Sequence, residues 1–444
     1  MAKYKVGIVS LGCDKNRVDT EILLGSLKNK FEIISDPKEA HIIVVNTCGF
    51  IESSKQESIN TILEMAEYKK NYKCEVLIAT GCLTQRYSKE IAELIPEIDI
   101  VLGVNNYKDV EDCIRDFYEN KQKIILCSNS NEINEGERVI STGNNYAYLR
   151  IGEGCNNNCT YCAIPKIRGS YRSRSIEHIV EEASSIAKMG VKELIIVAQD
   201  TTMYGIDLYK KKVLPDLLNR LSQIDDIEWI RLLYCYPEEI TDELIEVIAS
   251  NKKICKYIDI PIQHISNNIL KKMGRRGTKE QIVEVINKLK KKVPEITIRT
   301  TFIVGFPGET EEDFNELKEF TENIKFDNLG VFRYSAEEGT AAERLNNKIS
   351  DEIKIQRQNE IMKLQQQISY NNNKGKIGMV YNTLLEDENE EYYIGRSQHM
   401  APDVDGIIYV SKVKGINKGE FVKIKIREAL EYDLIGDVYY ESSK

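Results

Sequence analysis

Apolar and polar residues alternate in blocks along the first hundred positions. Short apolar runs, KVGIVSLGC, HIIVVNTCGF and EVLIATGC, are separated by segments of helical character such as ESINTILEMAEYKKNYK. Apolar runs of strand length that alternate with helical segments predict parallel βαβ units. We therefore expect residues 1–130 to form an α/β domain with a Rossmann-like sheet.

A polar segment at residues 128–147, SNSNEINEGERVISTGNNYA, is typical of a linker, and the alternation resumes after it. Six strand candidates follow, with helical patterns between them: YLRIGEGC, KELIIVAQD, EWIRLLYCYP, KYIDIPIQH, ITIRTTFIVGFPGE and NLGVFRYS. Six βα repeats are fewer than the eight of a closed barrel. Residues 141–372 are thus predicted to form a partial (β/α)6 barrel, with its chemistry in the loops after the strands.

The last segment, residues 373–444, has the pattern of a small β-barrel. It follows a long polar helix predicted at roughly 350–372, and its runs VYNTLL, YYIGRS, GIIYVS and FVKIKIREA are divided by turn residues. It carries 10 Lys and Arg against 13 Asp and Glu, a net charge of -3. A surface of that sign does not favour binding to an RNA backbone.

Composition narrows the class of protein further. The 444 residues suffice for about three domains at roughly 150 residues each. No apolar run is long enough to span a membrane, and MAKYKVGIVSLGC lacks a signal-peptide layout, so we expect a cytoplasmic protein. In that reducing compartment the 11 cysteines, an odd number, indicate metal binding, catalysis or buried thiols instead of a disulfide framework.

Three cysteines lie close together in GEGCNNNCTYCAIPKIRG, residues 152–169. Cys155, Cys159 and Cys162 are spaced so that their sulfurs can converge on one group. A structural zinc ion and an ordinary cubane cluster each take four protein ligands, so three ligands leave one metal position open for a substrate or cofactor. A zinc site with a distant fourth ligand is the alternative.

Three further cysteines recur at the ends of the N-terminal strand candidates. Cys13, Cys48 and Cys82 are 35 and 34 residues apart, about one βαβ unit. The carboxyl ends of parallel strands share one sheet edge, so these thiols are predicted to form a second site there. A lone cysteine is more often a small buried apolar residue. We expect that simpler role for the remaining five: Cys74, Cys113, Cys127, Cys235 and Cys255.

The cysteine loop resembles the radical S-adenosylmethionine superfamily, because Tyr161 precedes its last cysteine and a Pro/Arg/Gly segment follows. The resemblance implies a 4Fe-4S cluster on Cys155, Cys159 and Cys162, whose free iron binds S-adenosylmethionine. Four residues are candidates to contact that cofactor: Tyr161, Gln199, Gly305 and Gly308. Gln199 ends a strand at the barrel mouth and is alternatively a strand-end cap, and the glycines of GFPGE are alternatively turn residues.

The three predicted domains and two cysteine sets together resemble the methylthiotransferases. That resemblance implies a methylthiotransferase N-terminal domain, a radical S-adenosylmethionine barrel and a C-terminal TRAM domain. It also implies two 4Fe-4S clusters, one generating a radical and one carrying sulfur, and an electron donor. One S-adenosylmethionine would supply the methyl group and another the radical.

Three stretches are similar to the protein-modifying branch of that family: residues 10–21, 261–266 and 395–406. The similarity implies insertion of the methylthio group at the β-carbon of an aspartate in ribosomal protein S-twelve. LEDENEE, residues 385–391, would repel RNA and meet a basic protein, or else is a solvated loop. The same chemistry on tRNA adenosine is one alternative, and a non-enzymatic iron-sulfur or zinc module is another.

Several other residues near these loops are candidates for binding or structural roles. Arg168, Arg172 and Arg174 follow the cysteine loop and can hold a carboxylate, or belong to a solvated loop. Asp200 lies beside Gln199 at the same strand end, and His264 marks the subfamily without being assigned a catalytic role. No Ser/His/Asp set or phosphate loop indicates a hydrolase or nucleotidase. We assign no catalytic residue and expect a monomer.

Overall fold

The computed structural model describes residues 4–130 and 132–440, so residues 1–3, 131 and 441–444 of the predicted segments lie outside it. The N-terminal sheet has six parallel strands: β1 (Lys5–Ser10), β2 (Glu32–Ile34), β3 (Ile42–Thr47), β4 (Val76–Gly81), β5 (Ile100–Leu102) and β6 (Ile124–Leu126). Its helices are α1 (Asp14–Leu27), α2 (Glu52–Asn71), α3 (Cys82–Arg86), α4 (Ser88–Leu94) and α5 (Val110–Asn120). The strand order is β2-β1-β3-β4-β5-β6, which confirms the Rossmann-like parallel sheet. Three-residue strands β2, β5 and β6 are too short to show a hydrophobic pattern, so the sequence did not predict them.

The second sheet is the predicted partial barrel. This unit contains β7 (Tyr146–Arg150), β8 (Gly152–Glu153), β9 (Arg172–Ser173), β10 (Glu193–Val197), β11 (Trp229–Leu232), β12 (Ile254–Gln263), β13 (Thr297–Val304) and β14 (Asn328–Arg333). Strands β8 and β9 form a separate two-stranded sheet, and the other six form the main sheet. The helices are α6 (Ile164–Arg168), α7 (Ile176–Lys188), α8 (Leu214–Leu221), α9 (Asp242–Ser250), α10 (Asn267–Lys272), α11 (Lys279–Lys292), α12 (Glu311–Ile324) and α13 (Asp351–Lys374). All six main strands are parallel, in the order β7-β10-β11-β12-β13-β14, and the sheet does not close.

The third unit is a closed five-stranded barrel. It contains β15 (Val380–Glu388), β16 (Tyr392–Ser397), β17 (Ile408–Ser411), β18 (Phe421–Ala429) and β19 (Leu434–Val438), in the order β15-β16-β17-β19-β18. The four predicted runs form four of its strands. The fifth, LIGDV, combines Gly and Asp in a short run and has no clear alternation. Short 3₁₀ turns lie at Pro37–Glu39, Tyr107–Asp109, Thr201–Met203, Pro237–Glu239 and Ala342–Arg344.

The two faces of the partial barrel sheet pack against different parts of the chain. One face, which includes Leu194 and Ile196, packs against the surrounding helices. The opposite face, which includes Val197, packs with Val18 of α1 and Ala401 of the C-terminal unit in another buried cluster. The three units therefore share apolar core, and burial of apolar surface holds them together.

The segment predicted as a linker is irregular in structure but is bound to two helices. Arg138 donates from Nε to Glu21 of α1 over 3.1 Å and from Nη1 to Glu182 of α7 over 2.5 Å. Ser141 donates from Oγ to the other oxygen of Glu21 over 2.7 Å. The segment is thus a strap between the first two units, and its last two residues, predicted as linker, begin β7. In residues 4–130 and 132–440, no helix has the length and apolarity required to cross a membrane.

Candidate functional site

The cysteines at the strand ends lie along one sheet edge, as predicted. Cys13 follows β1 and precedes α1, Cys48 comes directly after β3, and Cys82 begins α3 directly after β4. Strands β1, β3 and β4 are neighbours in the sheet. The strand order changes direction between β1 and β3, and the crevice at such a switch point is the usual ligand site of an open parallel sheet.

The loops that carry Cys13 and Cys48 are in direct contact. Gly12 has φ +84°, and a Cβ there would lie 2.7 Å from Cys48 Cβ and 3.0 Å from its Sγ. Only glycine provides both that backbone angle and that clearance. Asn16 Nδ2 donates to Leu11 O over 3.0 Å and to Thr47 O over 2.9 Å, so one side chain ties both loops together.

Cys82 and Cys13 differ in their surroundings. Cys82 is buried, and burial raises the pKa of its thiol to about 12. Its Sγ lies 3.5 Å from Asn16 Oδ1, the same amide that ties the other two loops. Cys13 is exposed and lines an open cavity of about 640 Å³. The second site is therefore open to its surroundings on the Cys13 side.

The cysteine loop after β8 presents its sulfurs to backbone donors. The Asn157 amide donates to Cys155 Sγ over 3.4 Å, and the Ile164 amide donates to Cys162 Sγ over 3.5 Å. Burial raises the pKa of Cys155 to about 11 and that of Cys162 to about 12. The free thiols are therefore protonated at neutral pH, and a metal that binds them must displace protons.

Three thiols are ligands of the kind that an iron-sulfur cluster takes. Within residues 4–130 and 132–440, no three His, Cys, Asp or Glu side chains are placed to hold one metal ion together. The cysteines of a cubane bind different irons, so their sulfurs are spread around the cluster and do not meet at one point. Amide donors to the sulfurs of Cys155 and Cys162 are typical surroundings of such a cluster. The ligand roles of the six cysteines stay predictions.

Helix α6 joins the two sets of thiols. It begins two residues after Cys162, and Ala163 and Ile167 pack with Cys82 in one small buried cluster. Arg168, the last residue of α6, places Nη2 3.4 Å from Cys82 Sγ. The two sets are thus adjacent across a five-residue helix, a contact that the sequence did not predict because 80 residues separate Cys82 from Cys162.

Four buried charges surround this junction. Arg168 Nη2 lies 2.8 Å from Asp19 Oδ2, and its Nη1 lies 3.2 Å from Glu153 Oε1. Arg150 pairs with the same two carboxylates, at 2.7 Å from Glu153. Burial by itself would raise the pKa of Glu153, but Arg168 and Arg150 outweigh it and hold that pKa below its usual value. Two cations and two anions balance, so the group is buried without net charge.

One of the predicted cofactor contacts, Gln199, is hydrogen-bonded to this junction. Its Nε2 donates to Glu153 Oε1 over 2.6 Å, while its own Oε1 is buried without a hydrogen-bond partner. A buried acceptor of this kind normally has a partner, which makes it a candidate to meet a bound group. Tyr161 lies elsewhere at the mouth, packed against a buried cluster that includes Met273 and Phe306.

Gly305 and Gly308 belong to a tight loop after β13. Their φ angles are +72° and +78°, and Gly305 N donates to Glu309. A Cβ on Gly305 would overlap Lys354, and one on Gly308 would lie 2.8 Å from Lys272 Nζ. The loop therefore needs glycine for its own turn and packing. A cofactor contact by either glycine stays a prediction.

The three arginines after the cysteine loop have separate environments. Arg168 reaches the second site, whereas Arg174 pairs with Glu182 at 2.6 Å and with Glu135. Arg172 is partly buried, and its Nε and Nη2 have no hydrogen-bond partner. The solvated-loop alternative is thus wrong for Arg168 and Arg174, which are both buried.

Asp200 and His264 are buried residues with local hydrogen bonds. Asp200 Oδ2 accepts from Asn157 Nδ2 over 2.7 Å, which braces the cysteine loop, and burial raises the pKa of this carboxyl. His264 Nδ1 accepts from the Ser266 amide over 3.0 Å. These hydrogen bonds fix the orientation of both side chains.

Sequence reasoning missed the residues that organise the junction: Asn16, Asp19 and Glu153. Asn16 and Asp19 lie in residues 10–21, the stretch that is similar to the protein-modifying branch, but that similarity gave them no role. Helix α1 buries five polar residues: Lys15, Asn16, Asp19, Thr20 and Glu21. The signal in its sequence, DKNRVDTEILLGSL, is the lack of a clear polar face. A helix that lacks a clear polar face is typical of one enclosed on several sides.

The acidic stretch of the C-terminal barrel is partly neutralised by its own chain. Three of its five carboxylates form ion pairs: Glu386 with Arg396 at 2.6 Å, Asp387 with Lys418 at 3.4 Å, and Glu388 with Lys412 at 2.8 Å. The negative electrostatic potential around LEDENEE is therefore weaker than five unpaired carboxylates would produce.

Three family models match successive parts of the chain. Residues 5–103 match "Uncharacterized protein family UPF0004", residues 149–321 match the radical SAM superfamily, and residues 377–438 match the TRAM domain. The matches follow the order of the three sheets. They agree with the fold and with the resemblance seen in the cysteine loop.

Relatives similar over the full length narrow the family. The chain is 60% identical to the ribosomal protein uS12 methylthiotransferase RimO of Clostridium novyi and 59% identical to that of Clostridium perfringens, with 100% of each chain covered. Its fold is similar to that of the radical S-adenosylmethionine methyltransferase TsrM from Kitasatospora setae, at a TM-score of 0.56 and 13% identity, covering 74% of this chain and 73% of that one. Together with the two adjoining thiol sets, these likenesses show that the chain belongs to the RimO family of radical S-adenosylmethionine methylthiotransferases.

Proposed function

We propose that this chain inserts a methylthio group at the β-carbon of an aspartate in ribosomal protein uS12. The observation that carries the proposal is the junction at α6, where two sets of three thiols lie side by side. Transfer of sulfur to a carbon radical requires the radical source and the sulfur source to be close together. The relatives named above, which act on uS12 according to their names, support the choice of substrate.

In this proposal Cys155, Cys159 and Cys162 hold one 4Fe-4S cluster, and Cys13, Cys48 and Cys82 hold the other. When bound, the first cluster with S-adenosylmethionine supplies the agent that removes hydrogen from an unactivated carbon, and the second supplies sulfur. The chain itself positions the ligands. Amides orient Cys155 and Cys162, Asn16 holds the loops of Cys13 and Cys48 together, and Arg168 reaches Cys82.

Four residues are proposed to line the cofactor side of the site. Gln199 offers the buried unpaired Oε1 next to Glu153. Tyr161, which precedes Cys162 in the chain, packs against the cluster that contains Phe306. Gly305 and Gly308 allow the loop after β13 to turn sharply at the barrel mouth, which brings backbone close to a bound ligand. Apolar packing of Tyr161 with this loop keeps water out of that side.

We also propose the broader features of the system. The chain divides into residues 1–130, 141–372 and 373–444, and works as a monomer in the cytoplasm with an external electron donor. The net charge of -3 on the last segment supports a basic protein as substrate, in place of RNA.

The test is anaerobic reconstitution followed by iron counting and incubation with S-adenosylmethionine, a reductant and a substrate. We expect about eight irons for two cubane clusters. We also expect a methylthio mass gain on a uS12 peptide and none on tRNA. A gain on tRNA alone would keep the chemistry and reject the substrate, and zinc without cleavage of S-adenosylmethionine would reject the enzyme altogether.

A further inference from the structure

Arg168 ends helix α6 of the partial barrel, but its side chain contacts Cys82 of the N-terminal site. Its side chain is 3% exposed. Nη2 lies 3.4 Å from Cys82 Sγ and 2.6 Å from Asn16 Oδ1, and ion pairs to Asp19 and Glu153 complete its surroundings. The guanidinium therefore adds a positive charge and an N–H donor at the sulfur of a residue from another unit of the chain.

The contact with Asn16 extends this arrangement to the other two thiols. Asn16 Nδ2 binds the carbonyls of Leu11 and Thr47, next to the loops of Cys13 and Cys48, while its Oδ1 accepts from Arg168. One hydrogen-bonded chain thus runs from the end of α6 to all three strand-end loops. Arginine suits this position because its planar guanidinium presents several N–H donors in a rigid fork. Nη2 faces Cys82 Sγ, Asn16 Oδ1 and Asp19, and Nη1 faces Glu153.

We propose that Arg168 is a positioning residue for the sulfur-carrying site, one that holds Cys82 and makes the cluster there easier to reduce. This inference rests on the proposed assignment of Cys13, Cys48 and Cys82 as ligands of that cluster. Net charge and hydrogen bonds to the sulfurs set the reduction potential of an iron-sulfur cluster. A nearby cation and an N–H donor both stabilise the more negative reduced form, so Arg168 raises the potential.

The experiment uses the full-length protein with Cys155, Cys159 and Cys162 changed to alanine, so that only the N-terminal site can carry a cluster. The reduction potential of that cluster is measured in an anaerobic titration followed by electron paramagnetic resonance. In this background Arg168→Gln is expected to shift the potential to a more negative value. Arg168→Lys, which keeps the charge but not the fork, is expected to give a smaller shift in the same direction.

Arg174→Gln is the matched control, since Arg174 is equally buried and ion-paired but is not in contact with a thiol. Its potential is expected to equal that of the parent. If the parent with Arg168 intact binds no iron, the ligand assignment fails. If Arg168→Gln keeps iron at an unchanged potential, the role of Arg168 is rejected.

If Arg168→Gln loses its iron, the reduction potential of Arg168→Lys is compared with that of the parent instead. A more negative potential in the lysine variant supports the proposal, and an unchanged potential overturns it. Loss of iron from both variants, with iron retained by Arg174→Gln, supports the positioning role, because loading then tolerates the loss of another buried, ion-paired arginine.

Discussion

The two sets of cysteines reach the same kind of site by different routes. Cys155, Cys159 and Cys162 lie within eight residues, and one loop after β8 brings them together. Cys13, Cys48 and Cys82 span 70 residues, and they meet because β1, β3 and β4 are neighbours in a parallel sheet. The first set depends on local chain geometry, and the second depends on the whole N-terminal fold.

This difference determines how each site should respond to change. A loop site loses function when a ligand or one of its amide donors is lost. A site spread over three strand ends is also sensitive to the spacing between the strands, because each loop must approach the next within van der Waals distance. The predictions below test that distinction.

The largest effect is expected for Cys155→Ala. With two thiols left, the loop should lose its cluster, about four of about eight irons, since each cubane carries four. Reductive cleavage of S-adenosylmethionine should fall to background, and with it all product. Iron counting and chromatography of the cleavage products check this. Cleavage at the parent rate would show that this cysteine is not a ligand.

Cys48→Ala should separate the two functions. It is also expected to lose about four irons, but cleavage of S-adenosylmethionine should continue because the loop after β8 is intact. No methylthio product should form on the uS12 peptide. Cys74→Ala is the control, a buried cysteine on the same domain that is not at a strand end of the site. A methylthio product from Cys48→Ala would remove the second set from the mechanism.

Gly12→Ala tests the close approach of the strand-end loops without touching a ligand. The added Cβ would lie 2.7 Å from Cys48 Cβ, so Cys48 must move. We expect loss of the N-terminal cluster with cleavage of S-adenosylmethionine retained.

Gly190→Ala is matched to that change, because Gly190 has φ +95° and no atom within 4 Å of the added Cβ. Both substitutions carry a backbone cost of about 1 kcal/mol. Only Gly12→Ala should lose iron. Equal iron content in the two variants would mean that the spacing of these loops is not critical.

The smallest effect concerns stability of the junction between the sites. Glu153→Gln leaves Arg168 and Arg150 with less countercharge and should lower the free energy of unfolding by about 3 kcal/mol at neutral pH. The folded-state pKa of Glu153 is lowered, so its contribution is complete above the unfolded value of about 4.3 and is lost as pH falls through the folded value.

Urea unfolding of both proteins at neutral pH and at about pH 3.5 checks this, because the difference between them should narrow in acid. Glu67→Gln, at an exposed ion pair with Lys70, should differ from the parent by less than about 1 kcal/mol. If the difference in free energy of unfolding between the parent and Glu153→Gln stays constant with pH, the ionisation of Glu153 does not hold the junction together.

The pattern of apolar and polar residues along the chain predicted much of the fold. The six barrel strands and the three long N-terminal strands lie in apolar runs that were predicted as strands, and the polar helix predicted at roughly 350–372 is α13. Strands β2, β5 and β6 were not predicted, because three residues are too few to show a period. The polar segment 128–147 was interpreted as a linker, but composition could not show that Arg138 ties it to two helices.

The sequence by itself determined the two cysteine sets, since close spacing in one and the βαβ repeat in the other are properties of chain order. It also determined the parallel sheets, because alternating apolar and amphipathic segments have few other ways to bury their surface. Only the tertiary structure decided that the two sets adjoin. Arg168 and Cys82 are 86 residues apart, and their contact arises because α6 packs on α3 and buried charges pair across that surface.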